Sequence, residues 1–241
     1  MNSSVLIQKV SKSFGKKVVL DEIDLTIGEG QIYGFIGPSG AGKTTLVKMI
    51  VGMDIPDYGT IHVLNKKMPN LEILQDIGYM AQSDALYTEL TGRENLSFFA
   101  SLYKLNKVET KQRIDYTASL VNLTEDINKK VATYSGGMKR RLSLAIALIQ
   151  NPKILILDEP TVGIDPELRL NIWNELLRMK KEEGKTIIVT THVMDEAEKC
   201  DFIALVRDGK ILTRGTPKML KDTYQANNFD EVFLYAGRNT R

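Results

Sequence analysis

Gly37-Pro38-Ser39-Gly40-Ala41-Gly42-Lys43-Thr44-Thr45 is the stretch on which the reading of this chain turns. It fits the pattern G-x-x-x-x-G-K-[ST], with Gly37, Gly42, Lys43 and Thr44 at the fixed positions. Glycines let a backbone bend tightly round a polyphosphate, so that several amide N–H groups converge as an anion cradle. Residues 44–51 have helical character and stop at Gly52. A helix N-terminus adds about half a positive charge at the same point. Lys43 is then placed to reach the β- and γ-phosphates, and the Thr44 hydroxyl to ligate magnesium. Gln31-Ile32-Tyr33-Gly34-Phe35-Ile36 supplies the short apolar strand that such a loop follows. A chance glycine-rich turn would not bring strand, loop, Lys-Thr and helix in this order. The motif implies a bound nucleoside triphosphate.

The rest of the chain allows that chemistry and narrows its setting. Its 241 residues are 43% hydrophobic and 26% charged, ordinary figures for a globular protein with a full core. A net charge of only +2 does not indicate a nucleic acid held by a basic field. The single cysteine, Cys200, excludes an internal disulfide and suits a reducing compartment, where it is expected to be a small buried apolar residue. The longest unbroken apolar run, 144–149, falls far short of the roughly 20 residues that a membrane span needs. No long apolar stretch of a signal peptide opens the chain. The expectation is a protein that stays in the cytosol, free to dock on a membrane protein.

Periodicity divides the chain into an α/β core with a helical insertion. Short β-type runs at 5–10, 18–20 and 23–27 precede the strand into the glycine loop. Phe14 stands among polar Ser13, Gly15, Lys16 and Lys17, and composition leaves two readings of it. It either stacks on an adenine or packs at the edge of its own sheet. From about 90 to 150 the pattern is helical. Thr91-Gly92-Arg93-Glu94 forms a capping box, and a second helix covers 108–121, with Lys111, Arg113 and Asp115 as a solvated face. Beyond Asn151-Pro152 come a buried strand at 153–157, a helix at 166–183 closed by Gly184, and a core strand at 186–190. Asp208-Gly209 marks a hairpin between 202–206 and 210–213, and 229–235 has helical spacing. The expected architecture is a P-loop core with a parallel sheet, an antiparallel β part and a helical insertion, in one domain over 1–241.

Two further stretches complete a site. Ile154-Leu155-Ile156-Leu157-Asp158-Glu159-Pro160 is an apolar strand ending in two carboxylates. In a P-loop enzyme the first, Asp158, holds magnesium, commonly through water, and the second, Glu159, points at the γ-phosphate and polarises the attacking water. Tyr134-Ser135-Gly136-Gly137-Met138-Lys139-Arg140-Arg141 sets Ser-Gly-Gly at the start of a helix over 138–150, a second anion nest. Alone, it would read as a capped helix with Arg140 and Arg141 merely solvated. Its place in the chain changes that, because it lies between the P-loop and the Asp158-Glu159 strand, with Gln82 before it and His192 after.

This order resembles the nucleotide-binding subunit of ATP-binding cassette (ABC) transporters over nearly the whole chain. Residues 134–138 are similar to the family signature Leu-Ser-Gly-Gly-Gln, departing at the first and last positions, which bear on subtype more than on function. Gln82 matches the Q-loop glutamine, Asp165 the D-loop aspartate and His192 the switch histidine, while Phe14 falls where the family stacks an aromatic on adenine. The resemblance implies that His192 bonds the γ-phosphate and that Gln82 touches the metal site. It also implies that Ser135, Gly136, Gly137 and Asp165 close over the ATP held by another subunit's P-loop. ATP and Mg²⁺, a head-to-tail dimer with itself or a paralogous cassette, and a separate permease on the cytoplasmic face of the membrane follow from it.

Two other classes fit less well. A small-molecule P-loop kinase has no need of the Ser-Gly-Gly signature. Soluble ABC ATPases acting on DNA or the ribosome resemble this core with a long coiled coil inserted, or two cassettes per chain, and neither is present here. Residues 134–141, 194–198 and 229–234 look most like bacterial exporters of drugs and antibiotics, so export is the expected direction.

Overall fold

The computed structural model describes residues 3–238. β1 (Ser3–Phe14) and β2 (Lys17–Gly28) form an antiparallel pair. The sequence suggests two short runs where β2 is one strand. A bulge at Glu22, with φ 49°, interrupts the inward–outward alternation while the ladder continues past it. β3 (Ile32–Ile36) enters the glycine loop and α1 (Lys43–Ile50) leaves it. β4 (Tyr58–Val63) and β5 (Lys66–Lys67) complete a four-stranded antiparallel sheet in the order β2-β1-β4-β5.

β6 (Ile77–Met80) is followed by the helical segment, α2 (Gly92–Leu102), α3 (Lys107–Leu120) and α4 (Gly136–Leu148). Thr91 and Glu94 bond reciprocally at the start of α2, the expected capping box. Arg113 departs from expectation. It donates to the carbonyls of Leu148 and Ile149 and so satisfies the C-terminal end of α4 instead of lying in solvent.

The chain then runs through β7 (Ile154–Asp158), α5 (Pro166–Glu183), β8 (Thr186–Thr191), β9 (Phe202–Arg207), β10 (Lys210–Gly215), α6 (Pro217–Tyr224) and α7 (Phe229–Arg238). Pro166 at the first turn and Gly184 at φ 65° bound α5 as the sequence indicates. α6 is a helix beyond those the sequence pattern indicates, although Thr216 capping Met219 and Pro217 in the first turn are its local start signals.

A six-stranded sheet in the order β10-β9-β3-β8-β7-β6, parallel except at β10, organises the whole. Side chains alternate across it. Ile32, Ile36, Leu155, Leu157, Ile187 and Val189 enter the core beneath α4, α5 and α7. Tyr33, Phe35, Ile154, Ile156 and Ile188 enter a second core with α1 and the antiparallel sheet. Burial on both faces is why these strands read as unbroken apolar runs. Register sets the site: Ile36 pairs with Thr191 and Asp158 with Thr190, so the C-terminal ends of β3, β7 and β8 lie level. Such ends are where open parallel sheets hold ligands.

Candidate active site

The glycine loop is built to leave donors free. Gly42 takes φ 104°, a conformation unfavourable for any side chain, and caps α1 without a side-chain hydrogen bond. The first N–H groups of α1 therefore remain available to an anion. Gly37 is required by space, since a Cβ there would collide with the Val206 carbonyl. The Lys43 ammonium is buried and donates to the Gly37 and Pro38 carbonyls at 2.7 and 3.0 Å. Burial holds its pKa below the usual lysine value, against the opposing pull of Glu159 and Asp158. A cation braced by neutral carbonyls is poised for a polyanion.

This loop floors a cleft of about 270 Å³ lined by Phe14, Lys17, Val19, Ser39, Gly40, Gly42, Lys43, Thr44, Thr45, Gln82 and Glu159. Phe14 closes β1 at the rim, 54% exposed, so it is not packed away on its sheet. Asp158 is fully buried; its Oδ1 accepts from the Thr190 hydroxyl, and its Oδ2 has no partner among the described residues. Glu159 has φ 53°, a strained conformation for a non-glycine residue. Its N–H donates to the carbonyl and hydroxyl oxygens of Thr190, both at 3.1 Å. One carboxylate oxygen lies 3.0 Å from His192 Nδ1 and the other accepts from Gln82 Nε2 at 3.3 Å. Gln82, Glu159 and His192, distant in sequence, form one hydrogen-bonded row at the cleft.

Ser135, Gly136, Gly137 and Asp165 do not line it. Ser135 and Gly136 are exposed at the head of α4, where the Ser135 hydroxyl caps Met138 N–H at 3.2 Å. Asp165 is exposed and caps α5 through Leu168 N–H at 2.9 Å. The two loops adjoin, because a Cβ on Gly137 would lie 3.3 Å from the Gly163 carbonyl. They present one outward surface apart from the cleft. The departure at Tyr134 has its own packing: the ring is buried and its hydroxyl donates to the Asp126 carbonyl at 2.8 Å.

Two groups beside the site escape sequence reasoning. Arg140 is buried and donates to four backbone carbonyls, those of Ala81, Gln82, Asp158 and Glu159, where a solvated arginine was the isolated expectation. Glu196 is buried in the turn after His192, and one of its oxygens accepts from Thr161 Oγ1 at 2.5 Å and Trp173 Nε1 at 3.2 Å. Arg141, for which the stretch alone offers only solvent, donates to the carbonyls of Val121 and Asn122. A basic pair on a helix face carries no sign of partners so far away in the chain.

The family model described as ABC transporter matches residues 20–162. Nod factor export ATP-binding protein I of Sinorhizobium fredii is 41% identical over 97% of this chain and 68% of its own length. ABC transporter G family member 23 of Dictyostelium discoideum is 40% identical over 96% of this chain, which spans 33% of that relative. Among solved structures, the ATP-binding subunit of an ABC transporter superposes with a TM-score of 0.90 at 24% identity, covering 98% of this chain and all of that one, a likeness of fold. A dimeric ATP-binding cassette in a post-hydrolysis state, bound to ADP and Pi, matches with a TM-score of 0.83 at 29% identity over 88% of this chain and 98% of its own. With the P-loop, the paired carboxylates and the Ser-Gly-Gly helix standing in this fold, the chain belongs to the ABC transporter family, and what it carries is that family's ATP-binding, ATP-hydrolysing domain.

Proposed function

We propose that this chain powers an exporter as a head-to-tail dimer, with a second copy or a paralogous cassette, beneath a separate membrane-spanning permease on the cytoplasmic face of the membrane. One observation carries the reading: the groups suited to a triphosphate are divided between a cleft and a separate outward surface. The cleft holds Phe14, Lys43, Thr44, Gln82 and Glu159, with Asp158 and His192 behind it. The outward surface displays Ser135, Gly136 and Gly137 beside Asp165. An exposed anion nest that does not line its own cleft is suited to a neighbour's nucleotide. Two-fold pairing lays each nest over the partner's cleft.

Within one site, the free amides of α1 and Lys43 take the β- and γ-phosphates, and Phe14 stacks on the adenine. Glu159, steadied between Gln82 and His192, orients the attacking water and accepts its proton. His192, 44% exposed at its side chain, is free to turn toward the γ-phosphate. The orphaned, buried Asp158 Oδ2, the Thr44 hydroxyl and the Gln82 amide oxygen are hard donors that fit Mg²⁺, with phosphate and water completing the shell. When bound, that ion neutralises charge on the phosphates. Closure over two ATP molecules and release after hydrolysis make the stroke. The whole of 1–241 works as one ATPase domain, with 90–150 as its helical part.

Export rests on what the relatives are named for, Nod factor export among them. No described helix is long and apolar enough to cross a membrane, so transport needs another polypeptide segment. Beyond Gln82, Tyr87 and Phe98 stand exposed with their rings 4.9 Å apart, an aromatic face suited to a permease. Glu159→Gln is the test: it keeps the charge cradle and removes water activation. ATP should drive this variant into a stable dimer with most turnover lost. A monomer at saturating ATP, or undiminished turnover, rejects the proposal.

A further inference from the structure

Arg140 spends its guanidinium chiefly on backbone, four carbonyls in all. Nη1 donates to the Ala81 and Gln82 carbonyls at 2.6 and 3.0 Å, and Nη2 to the carbonyls of Asp158 and of Glu159, the latter at 2.8 Å. Asp84 lies 3.7 Å from Nη1 and is its one ion-pair partner among the described residues. The planar fork lets one side chain serve two segments at once. Those segments are the end of β6 with Gln82 and the end of β7 with Asp158 and Glu159. The side chain itself belongs to α4, the helix that opens with Ser135, Gly136 and Gly137.

Burying a guanidinium is costly unless its donors are used, and burial does push its pKa below the ordinary arginine value. Each of the four acceptors is the carbonyl of a residue in, or next to, the Gln82–Glu159–His192 row. Fixing the Glu159 carbonyl also pins the residue whose backbone sits at φ 53°. One cation therefore joins the machinery of its own cleft to the nest offered to the neighbour.

We propose that Arg140 is a positioning residue that locks Gln82 and Glu159 of one ATP site to the signature helix acting on the other, so that the two sites of the dimer move together. This rests on the reading that Ser135–Gly137 serves the partner's nucleotide.

The test uses purified full-length variants. Arg140→Met fills the space without donors, and Arg140→Lys keeps a charge that cannot reach both segments. Nucleotide affinity should stay within about twofold in both, because the P-loop is untouched, while kcat falls by about tenfold or more. Arg140→Lys should recover the melting temperature lost in Arg140→Met without recovering kcat. Recovery of both together would mean a staple only and overturn the proposal.

Coupling is read in single-site dimers. A Lys43→Ala subunit mixed with a Gly136→Asp subunit leaves one complete site, made of the second subunit's cleft and the first subunit's nest. Arg140→Met placed on either subunit should slow that site. A rate unchanged when it sits on the Lys43→Ala subunit would refute the link to the nest. If the parent pair is itself inactive, the shared-site reading has failed, and Arg140 is not at fault.

Discussion

Phe14→Ala separates adenine stacking from edge packing. The ring is 54% exposed and lines the cleft opposite the P-loop, so truncation leaves no core cavity. Folding stability should change by only about 0.5 kcal/mol, as for surface sites generally. The Lys12 ammonium 5.3 Å from the ring centroid is held independently by Asp54 and the Ile55 carbonyl, so it stays in place. Stacking a base on an aromatic ring contributes about 1–3 kcal/mol by alanine substitution. That converts to an ATP affinity weakened by about 5- to 150-fold. Inorganic triphosphate reaches the same loop without a base, and its affinity should stay within about twofold of the original. Calorimetric titration of both ligands reads the difference, and Phe14→Trp should keep ATP affinity. Unchanged ATP affinity would refute the stacking role, and equal losses for both ligands would show instead that the loop had been distorted.

Lys43→Met should abolish the rise in melting temperature that ATP gives the original protein, a rise set by RT ln(1 + [L]/Kd). The lowered Lys43 pKa fixes a second sign. The folded value lies below the unfolded one, so burying the ammonium costs stability at neutral pH, and the cost fades as pH climbs toward the ordinary lysine value. Over that alkaline window the ammonium is lost and triphosphate affinity should fall, which titration against pH would show; a flat profile counts against Lys43 as the phosphate contact. Tyr134→Phe removes the hydroxyl bond to Asp126 and should destabilise by about 1 kcal/mol in denaturant unfolding, with kcat unchanged. A large loss of kcat there would mean that the departure from the signature pattern is functional.

What the sequence disclosed depended on how local its cause was. The P-loop, the Thr91 capping box and the bounds of α5 are fixed by neighbours within a few residues, and they appear as expected. The sequence pattern divides β2 in two because a bulge at Glu22 breaks a period-two alternation that the ladder then resumes. Composition leaves Phe14 between two readings and the family resemblance favours stacking; its 54% exposure and its place at the cleft are properties of the fold. Arg113 reads as a solvated charge, and Arg140 carries no sign of its partners, because a helix face does not reveal carbonyl acceptors contributed by other elements. Arg140 reaches Ala81, 59 positions away. The sequence named Gln82, Glu159 and His192 singly through a family resemblance. Their joining into one row depends on the level ends of β7 and β8, a property of register.

The central claim, a triphosphate gripped by halves from two subunits, is tested most directly by mixing two inactive proteins. Lys43→Ala removes the phosphate contact from the cleft. Gly136→Asp puts a negative charge in the nest at an exposed position where a Cβ meets nothing within 4 Å, so the subunit still folds. Each alone should lack ATPase activity. Mixed in equal amounts, half the dimers would pair one of each and hold a single intact site, restoring about a quarter of the original activity per subunit. A mixture as inactive as its components would contradict the account.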